Sequence, residues 1–367
     1  MADTEFSSSV HSNLVERVWA AKAFTWALSN RFFDKRFVSK DGSNVLQTKT
    51  ELLKAAGDQV TFRLRAPLTS VGQIDDGELT DNEEALTFHD FSVTLHQRAH
   101  AVRSKGKLSE RRTQINFRNE AREGLGDWMA QEMDTDALLA LSGLPNPAAT
   151  ITRNAPSTNR IWRGGQQVGG TLEAVTTMAL IDSATNNLFG TLVISAVKRK
   201  AQMGSSSLPR IRPIKIKGKE YYVMFIHPYQ AKALKAETAW IAAQQAANVR
   251  GESNPLFSGS LGVWDGVIIH EYEKIETRLG AGGTGATEWF DVSTDACANG
   301  IYVARALFCG AQAGVTAWGQ YPTWLEEMKD YKRKQGIGTD FIYQQAKTEF
   351  NSEDFAVITV NTAIVPD

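Results

Sequence analysis

Residues 109–141 place the tightest constraint on the fold. Phe117, Ala121, Leu125, Trp128, Met129 and Met133 recur at three-to-four spacing and form one apolar stripe, the mark of an amphipathic helix. Ser109 is a candidate N-cap, and Gly143 followed by Pro145 and Pro147 ends the segment. Gly124 and Gly126 lie inside it and weaken its continuity. At 1.5 Å per residue an unbroken helix of this extent reaches about 50 Å. That is nearly threefold the mean helix length. A spine so long suits an elongated molecule better than a round one.

Two segments alternate strictly. In 59–66, Val60, Phe62 and Leu64 face one way while Thr61, Arg63 and Arg65 face the other; in 91–97, Phe91, Val93 and Leu95 repeat the pattern. Both read as half-buried strands. Between them lie roughly two dozen residues without periodicity, a length that is usually functional inside a compact domain. The unit reads as a long two-stranded arm with an extended tip. That tip is acidic, with Asp75, Asp76, Glu78, Asp81, Glu83 and Glu84. It is a solvated polar loop, a cation site or a charged docking surface, and the spacing does not match an EF-hand.

The charge sum is bland, with 40 Lys and Arg against 41 Asp and Glu, a net of −1. A dedicated nucleic-acid coat carries a clear basic excess, whereas a nearly neutral chain associates readily. The distribution is not bland. Residues 198–219 hold Lys198, Arg199, Lys200, Arg210, Arg212, Lys215, Lys217 and Lys219 and no acid. Such cations could neutralise phosphates, form a solvated loop, or meet an acidic partner. The acidic tip of an identical neighbour is one such partner, and it ranks slightly above DNA.

At 367 residues the chain has room for about two domains, and its composition is that of a soluble globular protein. Residues 12–38 form an amphipathic segment through Trp19, Ala23, Trp26 and Phe33, broken near Ser29–Asn30 and too short to build its own core. Residues 144–170 are loop-rich. A helix is expected over 171–184, capped by Thr171, then a strand in FGTLVISAV. YYVMFIHP reads as a buried strand. Pro228 opens a helix to about residue 248, with Ala233, Leu234, Trp240 and Ile241 inward. Residues 263–275 read as a strand pair or bent strand, 304–318 as a small-residue helix, and 354–365 as a terminal strand. Strands and helices mix without regular βαβ alternation, which indicates α+β.

Chemistry-bearing patterns are sparse. Cys297 and Cys309 form no C-x-x-C pair, so they are expected to be buried thiols rather than part of a zinc or disulfide framework. Gly280, Gly282, Gly283 and Gly285 fit G-x-G-x-x-G but lack the strand before and helix after that a nucleotide site needs, so a surface loop is expected. His96 and His100 are four apart but sit in a strand pattern, with no H-E-x-x-H. No G-x-S-x-G elbow occurs. The expectation is no enzyme, cofactor or metal. The N-terminus lacks the basic and apolar regions of a secretory signal. Ala306–Leu325 is too polar to span a membrane, and its Gly310 and Gly314 suit close packing of a soluble helix. The chain reads as cytosolic in synthesis.

One resemblance gathers these features. TKTELLKAAGDQVTFRLRAPLTSVGQIDDGELTDNEEALTFHDFSVTLHQRAHAVRSKGKLSERR resembles the major capsid proteins of tailed bacteriophages, in particular a short-tailed-phage subgroup. NPLFSGSLGVWDGVIIHEYEKI, ARALFCGAQAGVTAWG and DFAVITVNTA resemble three further blocks in the family's order, spanning about residues 45–365. The resemblance implies the HK-type capsid fold shared with herpesvirus floors. It implies an N-terminal arm (1–57), an extended hairpin loop (58–103), a peripheral domain (104–170 with 346–367) carrying the 109–141 spine, and an axial domain (171–345). It further implies a shell subunit that forms hexamers and pentamers and encloses double-stranded DNA without sequence-specific binding. A portal is implied as a partner, and a decoration protein is compatible with the family. The setting is the virion capsid, with the host cytoplasm during assembly. No long helical segment precedes the arm, so a separate scaffolding protein is expected. The expected inter-subunit contact sets the acidic tip against Lys198, Arg199, Lys200, Arg210 and Arg212. Rival readings are a bacterial nanocompartment shell of the same fold and a nucleic-acid-binding protein using 198–219.

Overall fold

The computed structural model describes residues 22–28, 30–33, 36–53, 57–65, 68, 72, 75, 80, 82–112, 116–144, 151, 153–168, 171–176, 180–182, 187–204, 209–246, 260–275, 277–279, 302–331 and 333–365. The arm helix covers 22–28 and reaches Asn30 before the chain turns. β1 (Val38–Ser39) and β2 (Leu46–Lys49) follow as a parallel pair. β3 (Gln59–Arg65) and β4 (Phe88–Thr94) pair antiparallel with Val60 opposite Val93 and Phe62 opposite Phe91, so the alternating residues share one face. β5 (His96–Arg103) leads to the short α1 (Lys107–Arg111) and the spine, α2 (Phe117–Ser142). Next come β6 (Ile161–Arg163), β7 (Gln166–Val168), β8 (Thr171–Glu173) and α3 (Thr191–Met203). β9 (Ile214–Ile216) and β10 (Lys219–Ile226) precede α4 (Pro228–Ala236) and α5 (Thr238–Ala246). β11 (Gly262–Trp264), β12 (Val267–Glu271), β13 (Thr277–Leu279) and β14 (Tyr302–Cys309) lead to a long hairpin, β15 (Gly314–Lys329) and β16 (Lys334–Lys347). β17 (Glu349–Phe350), β18 (Glu353–Asp354) and β19 (Val357–Ile364) end the chain.

Two sheets organise the molecule, and the class is α+β as expected. One runs β1-β2-β15-β16-β5; the other runs β11-β12-β10-β14-β19-β6, with β13 added on β14 and β9 on β10. The spine lies on the first sheet. Leu125, Met129 and Met133 pack against Trp318, Trp324, Ile337, Phe341 and Tyr343. Its last turns are buried nearly all round, because Ala137, Leu138 and Leu141 also join the core of the second sheet. The spine starts at Phe117 with Asn116 as N-cap, not at Ser109, which lies within α1. Gly143 closes it in the left-handed conformation at φ 71°. The helix runs unbroken through Gly124 and Gly126 for 26 residues, about 39 Å.

Several sequence expectations fail for identifiable reasons. FGTLVISAV is not a strand: residues 191–203 form α3, whose buried Val193, Ile194, Val197 and Ala201 keep helical spacing into the basic stretch. Its first turn is held from 46 residues away, where Glu237 accepts from the Thr191 amide (2.7 Å) and hydroxyl (2.6 Å). The same Glu237 is extended, so the helix begun at Pro228 breaks into α4 and α5. The described residues 171–176 and 180–182 do not form the expected helix; β8 pairs with β7, with Val168 opposite Thr171. Residues 304–318 are β14, a turn and β15 rather than a helix. β14 is a central strand, so it reads as a continuous apolar run that periodicity cannot tell from a buried helix. Gly310 and Gly314 are close-packed, but at this turn: a Cβ on Gly310 would lie 2.3 Å from Ile211.

The sheets also cut across the expected segment boundaries. The β15–β16 hairpin, which the resemblance put in the 171–345 domain, belongs to the spine-bearing sheet, whereas β19, which it put in the spine-bearing domain, is central to the other. The 58–103 unit divides at Leu95, since β5 leaves the hairpin to pair with β16. Residues 31–33 and 36–49 do not project. Phe33 and Phe37 are fully buried against Phe225, and β2 pairs with β15.

Candidate assembly surfaces

The β3–β4 hairpin is rooted by its apolar face and open elsewhere. Val60, Phe62 and Val93 cluster with Val315 and Ala317 of β15, and Phe91 packs edge-on against Phe350 at 6.3 Å. The opposite face carries a Thr61–Ser92 hydroxyl pair at 3.1 Å and an Arg63–Asp90 ion pair at 3.9 Å. Farther out, Leu68, Leu86 and Phe88 are exposed. Of the acidic tip, Asp75 is exposed at φ 55°, Glu83 is exposed and Glu84 is half-buried. Asp76, Glu78 and Asp81 lie outside the described residues, as do the Gly280–Gly285 loop and Cys297.

The basic stretch does not form one surface. Lys198 pairs with Asp265 at 2.7 Å. Lys200 turns inward, donating to the Ile161 carbonyl at 3.2 Å; burial first, then the charges of Arg160 and Arg163, hold its ammonium below the usual lysine range. Arg212 donates to the Gly42 carbonyl at 2.5 Å, while Arg199 and Arg210 are exposed on α3 and the following loop. Lys215 pairs with Glu220 at 3.8 Å on the β9–β10 hairpin. The stretch is thus divided among a helix, a loop and a hairpin, with part of its charge used inside the subunit.

Sequence reasoning missed the buried charges that fasten segments to the spine. The Asp134 carboxylate accepts from the Phe32 amide (2.6 Å), the Phe33 amide (3.1 Å) and Arg31 Nε (3.4 Å). One turn pair earlier, Asp127 accepts from Trp26 Nε1 at 2.7 Å and Asn30 Nδ2 at 3.0 Å. The two aspartates are seven apart, hence on one helix face, and they grip the arm helix and the turn after it. Burial pushes the Asp134 carboxyl above its ordinary range, against the opposing pull of Arg31 and the two amides. Fully buried Asp136 binds Arg98 of β5 at 2.7 Å and also Arg153, while Arg98 reaches Glu132. At the far end, Lys347 and Asp354 form a buried pair at 2.5 Å, and buried Arg160 donates to the carbonyls of Asp354 and Pro209. Only the i, i+7 spacing of Asp127 and Asp134 was visible in the sequence. His96 and His100 both lie on β5, not on a helix, and His100 packs against Trp128 at 4.9 Å. Cys309 is a buried free thiol whose pKa burial raises.

A two-sheet body with a long spine and an outlying hairpin matches solved capsid shells. The capsid of Ralstonia phage GP4 superposes with a TM-score of 0.77 at 27% identity, over 92% of each chain. The capsid of cyanophage Pam1 gives 0.70 at 23% identity, over 92% of this chain and 93% of that one. The major capsid protein of Pseudomonas phage KPP25 is 30% identical over 96% of both chains. A family model described as phage capsid protein matches residues 8–366. The fold is that of an HK-type capsid subunit. The chain belongs to the phage capsid protein family, and its function is that of a phage major capsid protein.

Proposed function

We propose that this subunit closes into hexamers and pentamers of an icosahedral head that holds double-stranded DNA, and that it catalyses no reaction. The observation that carries the assembly reading is the hairpin: its root is locked into the subunit core while Leu68, Leu86 and Phe88 stand exposed. Exposed apolar side chains grouped on a projecting element mark a contact with another chain. Heterologous contacts of this kind close into rings when the rotation allows. The spine and its sheet act as the peripheral domain and the β10–β14–β19 sheet as the axial one. Assembly takes place in the host cytoplasm with a separate scaffolding protein and a portal, and the finished shell accepts a decoration protein. Electron microscopy of the purified chain, with and without scaffold, tests the reading. Rings or shells are expected; small monodisperse particles at every concentration would refute it.

A further inference from the structure

A cationic concavity, absent from the sequence reading, forms where two segments more than 200 residues apart meet. Residues 103–112 carry five cations and one acid, and residues 329–334 carry four cations and one acid, in a chain whose net charge is −1. The β5–β16 pairing sets Arg103 opposite Gly336, and the Ser104 amide donates to the Gln335 carbonyl at 2.8 Å, which holds the two segments side by side. Lys105, Lys107 and Arg112 then face Asp330, Arg333 and Lys334 around a cavity of about 470 Å³. Asp330 is paired with Lys334 at 3.4 Å. Among the described residues, Lys105, Lys107, Arg112 and Arg333 form no ion pair, and all four are exposed. Like charges gathered without counter-ions favour an anionic partner.

The lining distinguishes the kind of anion. The centres of protein–protein contacts are poor in lysine and rich in apolar and aromatic side chains. Here the lining is charged, hydroxylated or glycine throughout except for Leu108. Ser109 in the lining and Tyr331, fully exposed at the hairpin tip, add hydroxyl donors. Lysine, arginine, serine and tyrosine are side chains that contact phosphate oxygens along a nucleic-acid backbone, and the arginine fork matches a phosphate with two parallel hydrogen bonds. The concavity also lies apart from the outlying hairpin. β3–β4 roots on Val315 and Ala317 near the start of β15, whereas Arg333 follows the other end of that strand, about 40 Å along it. We infer that the concavity is a phosphate contact for the duplex DNA inside the shell, made to the backbone and blind to sequence. The contact is local: its few cations neutralise a few phosphates, and a nearly neutral chain leaves the rest of the duplex free. The basic stretch 198–219, divided by the fold, is not this contact.

The inference rests on the shell reading, and two measurements on the full chain separate them. Electron microscopy tests the shell: wild-type chain that forms no ring or shell under any condition defeats that reading, and the inference with it. The second measurement is salt-titrated binding of a mixed-sequence duplex of about 20 base pairs, read by fluorescence anisotropy. Each phosphate contact contributes about 0.9 to the slope of log affinity against log salt. K105Q/K107Q/R333Q should therefore flatten the wild-type slope by about 2.7, with circular dichroism and melting temperature unchanged. A duplex of unrelated sequence should bind the wild type equally, and R199Q/R210Q, on the basic stretch, should keep the wild-type slope. Where the triple variant fails to fold, K105Q/K107Q should flatten the slope by about 1.8. Wild-type shells together with an unchanged slope in the folded variant overturn the inference alone. A slope flattened by R199Q/R210Q instead also overturns it, moving the contact to 198–219. So does a variant that needs a higher concentration to assemble while its slope is unchanged, which makes the concavity a protein contact.

Discussion

Replacing Asp134 with Ala should unfasten the arm from the spine. The carboxylate is buried, and its removal strands two amide donors and the Arg31 guanidinium, itself only 8% exposed. Breaking a buried ion pair from one side costs about 3–5 kcal/mol. Burial that raises the Asp134 pKa shows that the carboxylate carries its own desolvation penalty, which offsets part of that cost. We take about 3 kcal/mol as the net loss. With an unfolding entropy near 2.1 cal/mol/K per residue, this lowers the melting temperature of the 367-residue chain by about 4 °C. Calorimetry reads that shift, and limited proteolysis should show faster cleavage near Arg31. The pH dependence gives a second handle. A folded-state pKa above the unfolded one means that Asp134 contributes stability below about pH 4, lost as pH rises through its folded pKa. The gap between wild type and D134A should therefore widen on acidification from pH 7 towards about pH 4. A shift under about 1 °C with unchanged cleavage would refute the clamp, and a gap that narrows in acid would refute the raised pKa.

Two other perturbations test the packing and the caps. Gly124 and Gly126 share the spine but not an environment: a Cβ at Gly124 meets open space, whereas at Gly126 it would lie 2.8 Å from Trp26 Cδ1 and 3.2 Å from the Ala23 carbonyl. G124A should stabilise by about 1 kcal/mol through helix propensity, and G126A should destabilise by about 1–3 kcal/mol through overpacking; equal shifts in urea unfolding would defeat the arm-on-spine contact. His227 caps α4 by accepting from the Tyr229 amide at Nδ1, 3.2 Å, which requires that nitrogen to be unprotonated. Burial holds its pKa below the ordinary value despite Glu271. Its contribution is present above about pH 6.5 and lost as pH falls through the folded pKa, so wild type should lose about 1 kcal/mol relative to H227N on acidification; parallel melting curves for the two would remove the cap's role.

What could be read from the sequence was whatever the chain encodes locally. The β3–β4 alternation, the spine stripe with its Gly143 stop and the Pro228 start survive because side-chain period and backbone chemistry fix them within a few residues. The failures sit where distant residues decide. Thr191 begins a helix because Glu237 caps it, and Ala304–Cys309 is a strand because β10 and β19 flank it on both sides. A run buried on both faces loses the period that would identify it.

The same division explains the charges. A linear stretch such as 198–219 looks like a site because its cations are consecutive, yet folding divides them and turns Lys200 inward against Arg160 and Arg163. Lys105, Lys107 and Arg112 look unremarkable beside Glu110 in sequence, and only the return of the β15–β16 hairpin sets Arg333 and Lys334 against them. Near-neutral net charge therefore conceals two kinds of segregation. Within the subunit, buried Asp134 and Asp136 bind Arg31 and Arg98 of distant segments and tie arm and sheet to the spine, while buried Asp354 pairs with Lys347 seven residues away. On the surface, an acidic tip and a cationic concavity remain on one chain. A sum near zero limits the mutual repulsion of closely packed copies.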